Sequence, residues 1–122
     1  AEGMTDTGNG SLTTHVLNTA TGLPAAGLAL GLARMQEPGP RWTELVQRWT
    51  GEDGRCGPLL APGQAKPGTY KLRFETAKYW QDLGQDSFYP FVEVVFTIAD
   101  PAQKLHLPLL ISPFSYTTYR GS

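Results

Sequence analysis

The sequence holds a single cysteine, Cys56, so no disulfide can form within the chain. That argues against a small stapled extracellular domain and agrees with a reducing or peroxisomal compartment. Long apolar runs are missing too. The strongest, Leu23 to Ala33, is broken by Pro24, Gly27 and Gly31 and is too short to cross a bilayer. The opening stretch, 1–11, is polar and glycine-rich and lacks the apolar region a secretory signal needs. It is expected to be a disordered tail, and Asn9-Gly10-Ser11 reads as a chance glycosylation sequon. Charge of one sign is nowhere concentrated: ten basic residues face eleven acidic ones, and no Lys/Arg cluster supports binding to nucleic acid or to a membrane surface. Also absent are a glycine-rich phosphate loop, a Gly-x-Ser-x-Gly elbow and a His-Glu-x-x-His pair.

Glycine (14) and proline (10), by contrast, are plentiful and spread along the 122 residues, which suits many short strands joined by turns. With 40% hydrophobic and 17% charged residues the composition is that of a globular protein, and the length suits one core. Leu12 to Asn18 is β-rich and runs into a turn at Thr21 to Pro24. Leu28 to Met35 follows, closed by Glu37-Pro38-Gly39-Pro40, and then Arg41 to Thr50, with two Trp in loose alternation. Gly51-Glu52-Asp53-Gly54 predicts a type I′ hairpin turn, whose two central residues need positive φ. Pro58 to Pro67 reads as a loop. In Tyr70 to Glu75 the residues Tyr70, Leu72 and Phe74 face one way and the charges the other, which predicts a half-buried strand.

Thr76 to Leu83 is the one helix-compatible piece, with Ala77, Trp80 and Leu83 on a single face and Gly84 as its stop. Phe91 to Ile98 is the strongest strand signal. Lys104 to Ser112 is another, and its Pro108 predicts an edge or a bulge. Ser115 to Arg120 is the last. These short turn-separated strands and one short helix predict an all-β sandwich forming a single domain over 12–122.

Two histidines stand out because an imidazole, with an ordinary pKa of about 6.5, is the side chain best suited to proton transfer near neutral pH. His15 shares a strand face with Thr13 and Leu17, opposite Leu12, Thr14 and Val16; alone it reads as a partly exposed strand histidine. His106 lies on the Lys104/Pro108 face, opposite Leu105, Leu107 and Leu109. Arg55, after the Asp53-Gly54 turn, is either a solvated charge or a guanidinium offering paired donors to a carbonyl or anionic oxygen. Cys56 reads as small apolar filler rather than a nucleophile. Two distant histidines and one cysteine do not form a metal-ligand set. Glu52-Asp53, Asp82 and Asp86 read as turn residues and caps. Composition and spacing stop at a β-sandwich domain.

The tail His106-Leu-Pro-Leu-Leu-Ile-Ser-Pro113, followed by Ser115-Tyr-Thr-Thr-Tyr-Arg-Gly-Ser122, resembles the end of the 5-hydroxyisourate hydrolases, the enzymatic branch of the transthyretin family. The closing Tyr-Arg-Gly-Ser is that branch's signature. Leu12-Thr-Thr-His-Val-Leu-Asn-Thr19, Asp53-Gly-Arg-Cys56 and Phe88-Tyr-Pro-Phe-Val-Glu-Val-Val-Phe-Thr-Ile98 resemble the family as well, so the likeness spans about Leu12 to Ser122. It implies an eight-stranded sandwich, a homotetramer built as a dimer of dimers, and sites in a channel between dimers.

It also implies hydrolysis of the N1–C6 amide bond of 5-hydroxyisourate, with no metal or organic cofactor. His15 or His106 would act as general base, Arg55 would hold the substrate's oxygens, and Tyr119 would stack on or hydrogen-bond to the flat ring. Ser122, through its hydroxyl or terminal carboxylate, would orient a histidine, and Gly121 would let the tail come close. The competing branch, transthyretin itself, has a hormone-binding channel of similar shape but lacks the two histidines, the arginine and the Tyr-Arg-Gly-Ser end. A third reading is a non-enzymatic interaction domain, since the fold alone does not fix function. The pathway's usual setting implies the peroxisome, with cytosol as the alternative, although no Ser-Lys-Leu address closes the sequence.

Overall fold

A computed structural model of the chain describes residues 12–36, 41–61 and 63–121. The expected tail at 1–11 with its sequon, the stop at 37–40, Pro62 and Ser122 lie outside the described residues. The strands are β1 (Leu12–Asn18), β2 (Leu23–Pro24), β3 (Ala29–Gln36), β4 (Arg41–Trp49), β5 (Gly68–Phe74), β6 (Val92–Ile98), β7 (Leu105–Ser112) and β8 (Ser115–Thr118), with one helix, α1 (Thr76–Asp82), between β5 and β6. They form two four-stranded sheets, ordered β2-β1-β7-β8 and β4-β3-β5-β6. This is the expected all-β sandwich.

Alternation decides which side of each strand is inside. In β1 the residues Leu12, Thr14, Val16 and Asn18 are buried while Thr13, His15 and Leu17 are half-buried; in β5, Tyr70, Leu72 and Phe74 are buried. These residues join Leu28, Leu30, Leu32, Val92, Ile98, Leu107, Leu109 and Ile111 in one core between the sheets. Two of the polar groups drawn into it, Thr14 and Asn18, are satisfied locally, whereas Thr76 Oγ1 is buried without a partner. Thr14 Oγ1 donates to Leu107 O at 2.6 Å, and Asn18 donates to Tyr79 Oη at 3.0 Å while its Oδ1 accepts from Ala20 N.

Three expectations about local structure are corrected. Pro108 causes neither an edge nor a bulge: β7 lies between β1 and β8, in continuous parallel register with β1. Its carbonyl accepts from Thr118 Oγ1, so its nitrogen also faces β8, where Leu109↔Thr118 is the last ladder pair and no N–H is required. The buried face of α1 is Thr76, Tyr79 and Trp80 rather than Ala77, Trp80 and Leu83. The helix ends one residue short of Leu83, which stays exposed, and the Asn18 bond draws Tyr79 inward.

The third correction concerns Gly51 to Gly54, which is a turn but not of type I′. Gly54 has the φ of +78° that a type I′ turn centred on Asp53-Gly54 needs, but no described residue other than glycine has positive φ, so Asp53 cannot occupy the other left-handed position. The chain leaving it pairs with β1 instead of folding back on β4. In β4 the loose alternation has a cause in the ladder: between Leu32↔Val46 and Ala33↔Glu44 the register shifts, leaving Leu45 as the extra residue of a bulge.

Candidate active site

β2 covers only Leu17 and Asn18 of β1, which leaves the rest of that edge to the segment after β4. Val16 N donates to Gly54 O at 2.9 Å, Arg55 forms an antiparallel bridge with His15, and Leu60 bridges to Leu12. Gly54 makes this possible. It is buried, and a Cβ there would run into the Val16 carbonyl oxygen and lie 3.2 Å from His15 Cδ2. Asp53 Oδ1 accepts from Arg55 N at 3.0 Å, and Gly51 N donates to Arg55 O at 2.7 Å, so the arginine leaves a tied turn. Its side chain is exposed beside the half-buried His15.

On the other side of β1, β7 sets His106 directly opposite Thr13, with His15 opposite Pro108 two residues further on. Thr13 Oγ1 lies 2.8 Å from His106 Nδ1. Beyond His106, Gly121 N donates to His106 O at 2.8 Å, and a Cβ on Gly121 would sit 2.9 Å from His106 Cδ2. The glycine therefore lets the tail approach the histidine itself. Burial lowers the His106 pKa below its ordinary value, and the positive charges of Arg55 and His15 lower it further. His15, Arg55 and His106, 40 or more residues apart in the chain, thus come together on the outer face of the β2-β1-β7-β8 sheet.

Tyr119 and Arg120, both exposed, line a cleft of about 280 Å³ with His106, Thr118, Val94 and Phe96, between the edges of β6 and β8. His15 and Arg55 do not line it, so the cleft joins the histidine cluster only at His106. Cys56 is half-buried against the core, and its thiol is pushed up first by burial. The Arg48 charge opposes that rise and Asp53 adds to it, so the residue is protonated filler and not a thiolate. Asp82 pairs with Lys78 at 3.1 Å, and Glu52 and Asp86 are exposed, as turn residues and caps should be. Among the described residues no group of three or more His, Cys, Asp or Glu side chains could hold a metal ion. Sequence reasoning missed Thr13 and Gly54. A glycine after Asp53 signalled a turn, but nothing local could reveal that β1 would lie against it.

A β-sandwich that gathers two histidines and an arginine on one sheet face is a small domain equipped for acid–base chemistry on a polar substrate. The chain belongs to the HIUase/Transthyretin family, whose sequence profile matches residues 12–121. It is 63% identical over 111 residues to the 5-hydroxyisourate hydrolase of Mus musculus, covering 91% of this chain and 94% of that one. It is 43% identical to the 5-hydroxyisourate hydrolase of Deinococcus radiodurans, covering 94% of this chain and 98% of the other. Among solved structures, sea bream transthyretin in complex with thyroxine superposes with a TM-score of 0.86 at 32% identity, covering 91% of this chain and 94% of that one.

Proposed function

We propose that this chain hydrolyses 5-hydroxyisourate, opening its six-membered ring at the N1–C6 amide bond. The product is 2-oxo-4-hydroxy-4-carboxy-5-ureidoimidazoline, on the route from urate to allantoin. One observation carries the reading: His15, Arg55 and His106 meet on one face of a chain 63% identical to the mouse hydrolase.

Water is a poor nucleophile at an amide carbon, so the reaction needs a base and a cation. One histidine takes a proton from water as its oxygen attacks C6. The Arg55 guanidinium holds the oxyanion that forms. As the C6–N1 bond breaks, the other histidine delivers a proton to N1, and C6 leaves as the carboxylate. Tyr119 stacks on the flat ring, and the Ser122 hydroxyl orients a histidine. The scheme uses no metal or organic cofactor.

Generating 5-hydroxyisourate from urate in situ and following its ultraviolet decay tests the reading. Acceleration over the spontaneous rate is expected, and a loss of on the order of 10²–10⁴-fold in His15→Ala and His106→Ala. Decay at the spontaneous rate with the intact protein would remove the enzyme reading. It would leave the carrier alternative, which rests on the likeness to the thyroxine-bound sea bream protein and requires binding of a flat aromatic ligand without turnover.

The same reading places four chains together as a dimer of dimers, with the sites in the channel between dimers. In support, β6 and β8 are edge strands on the same side of the sandwich and carry the exposed Val95 and Tyr116, the kind of open edge that pairs with another chain. Light scattering on the eluting protein should give the mass of four chains. The pathway points to the peroxisome, with cytosol as the alternative; imaging of the native protein in fixed cells distinguishes them.

A further inference from the structure

The hydrolase reading leaves open which histidine removes the proton from water, and the structure holds a feature that separates the two. The His106 ring is gripped along both edges next to its attachment carbon. Thr13 Oγ1 stands 2.8 Å from Nδ1 on the β1 side. On the opposite side Gly121 closes against Cδ2, so tightly that a Cβ would lie at 2.9 Å. With both proximal edges occupied, the distal Cε1–Nε2 edge is the end of the ring left to point away from the sheet. Thr13 is placed for this by the backbone, because the parallel β1–β7 ladder sets it directly opposite His106.

The hydroxyl–imidazole contact can run in either direction. If the hydroxyl donates to Nδ1, the ring proton sits on Nε2 and the distal nitrogen has no lone pair to offer. If the hydroxyl accepts from Nδ1–H, Nε2 carries the lone pair. The surroundings choose between these. Arg55, whose charge bears on His106, is a donor with no acceptor and stays charged; with Thr13 at Nδ1 and Gly121 at Cδ2, its field favours a lone pair rather than an N–H on the remaining nitrogen, Nε2. The second neighbour bearing on this ring is His15, which adds positive charge of the same sign when protonated. A threonine hydroxyl can accept one proton and still keep its own to donate, so accepting from Nδ1–H is open to it.

We propose that Thr13 is a positioning residue: its hydroxyl accepts the Nδ1 proton of His106, fixing the tautomer whose Nε2 lone pair takes the proton from water. His106 is then the general base, and His15 is the partner that passes a proton to the leaving N1. The assignment rests on the hydrolase reading, but the tautomer can be observed without any turnover.

The test is nitrogen-15 NMR of the histidine rings in the intact protein, together with steady-state kinetics, for wild type, Thr13→Val and Thr13→Ser. Valine keeps the branched shape and the strand preference of threonine while deleting the hydroxyl. In the wild type the His106 ring proton is expected on Nδ1. In Thr13→Val it should move wholly or partly to Nε2, with kcat falling about tenfold or more and KM little changed, since ring orientation and tautomer act on the chemical step. Thr13→Ser should restore both the Nδ1–H signal and kcat. A wild-type proton on Nε2 would overturn the proposal, as would a Thr13→Val protein with unchanged tautomer and kcat. If Thr13→Val does not fold, the wild-type and Thr13→Ser spectra alone decide the tautomer. If the wild type fails to hydrolyse 5-hydroxyisourate, the activity reading falls while the ring assignment is still read from the spectrum.

Discussion

The proposed hydrolysis turns on keeping one imidazole neutral. His106 is half-buried, and that loss of solvation disfavours its cationic form; the nearby charges of Arg55 and His15 act in the same direction. The folded pKa therefore lies below the ordinary value of about 6.5. A base must be unprotonated to work, so the acid limb of kcat/KM is expected below about pH 6.5, falling as pH drops through the lowered His106 value. A profile still rising well above neutral pH would contradict this. Replacing Arg55 with Gln removes one of the opposing charges, so an NMR titration of His106 in that variant should show its pKa moving up toward the ordinary value. Arg55→Lys keeps the charge but loses the planar pair of donors, and kcat/KM should fall by on the order of 10²–10³-fold.

At the level of elements, the site depends on the two borders of β1. One border is held by β7 in parallel register, which fixes His106 opposite Thr13. The other is split between the two-residue β2 and the turn ending at Gly54, and that division lets Arg55 reach His15. Gly54 meets two demands that only glycine satisfies together, a φ of +78° and a backbone pressed against the Val16 carbonyl. Gly54→Ala should cost about 2–4 kcal/mol of stability, combining left-handed strain with the clash, and should also lower activity by displacing Arg55. Urea denaturation and the ultraviolet assay measure the two effects; a variant of wild-type stability would show that the turn can move away freely. The turn's Asp-Gly signal was legible in the sequence, but its destination was not. Tight-turn rules describe neighbours in the chain, whereas Gly54 packs on a strand almost forty residues earlier.

For the whole molecule, stability rests on the single core between the sheets, in which Phe74, Leu72, Leu109 and Leu12 are fully enclosed. Phe74→Ala should destabilise by about 3–5 kcal/mol, because the surrounding side chains close only part of the cavity. Thermal or urea unfolding would show it, and a loss under 1 kcal/mol would mean the core collapses readily around the gap. The edges of β6 and β8 belong to the proposed assembly rather than to the core. Replacing the exposed Val95 and Tyr116 together with Asp places charge on both edges and should shift the proposed tetramer toward smaller species in light scattering, with activity falling in parallel. A dissociated protein of full activity would mean that each site is complete within one chain.

Period-two alternation was enough, by itself, to place the longer strands, though not the two-residue β2, which read as part of a turn, and to say which residues of β1, β5 and β7 face inward, since burying one side of a pleated strand requires it in the local sequence. That is why His15 and His106 could be read as looking away from the core. The family motifs then singled out the same two histidines and Arg55. Three things were decided only by the tertiary structure: the parallel β1–β7 ladder that brings Thr13 to His106, the docking of Gly54 on β1, and the interior position of Pro108. Each depends on which strand lies beside which, and strand order is set by burial and ladder geometry across the whole sandwich. No local pattern encodes it.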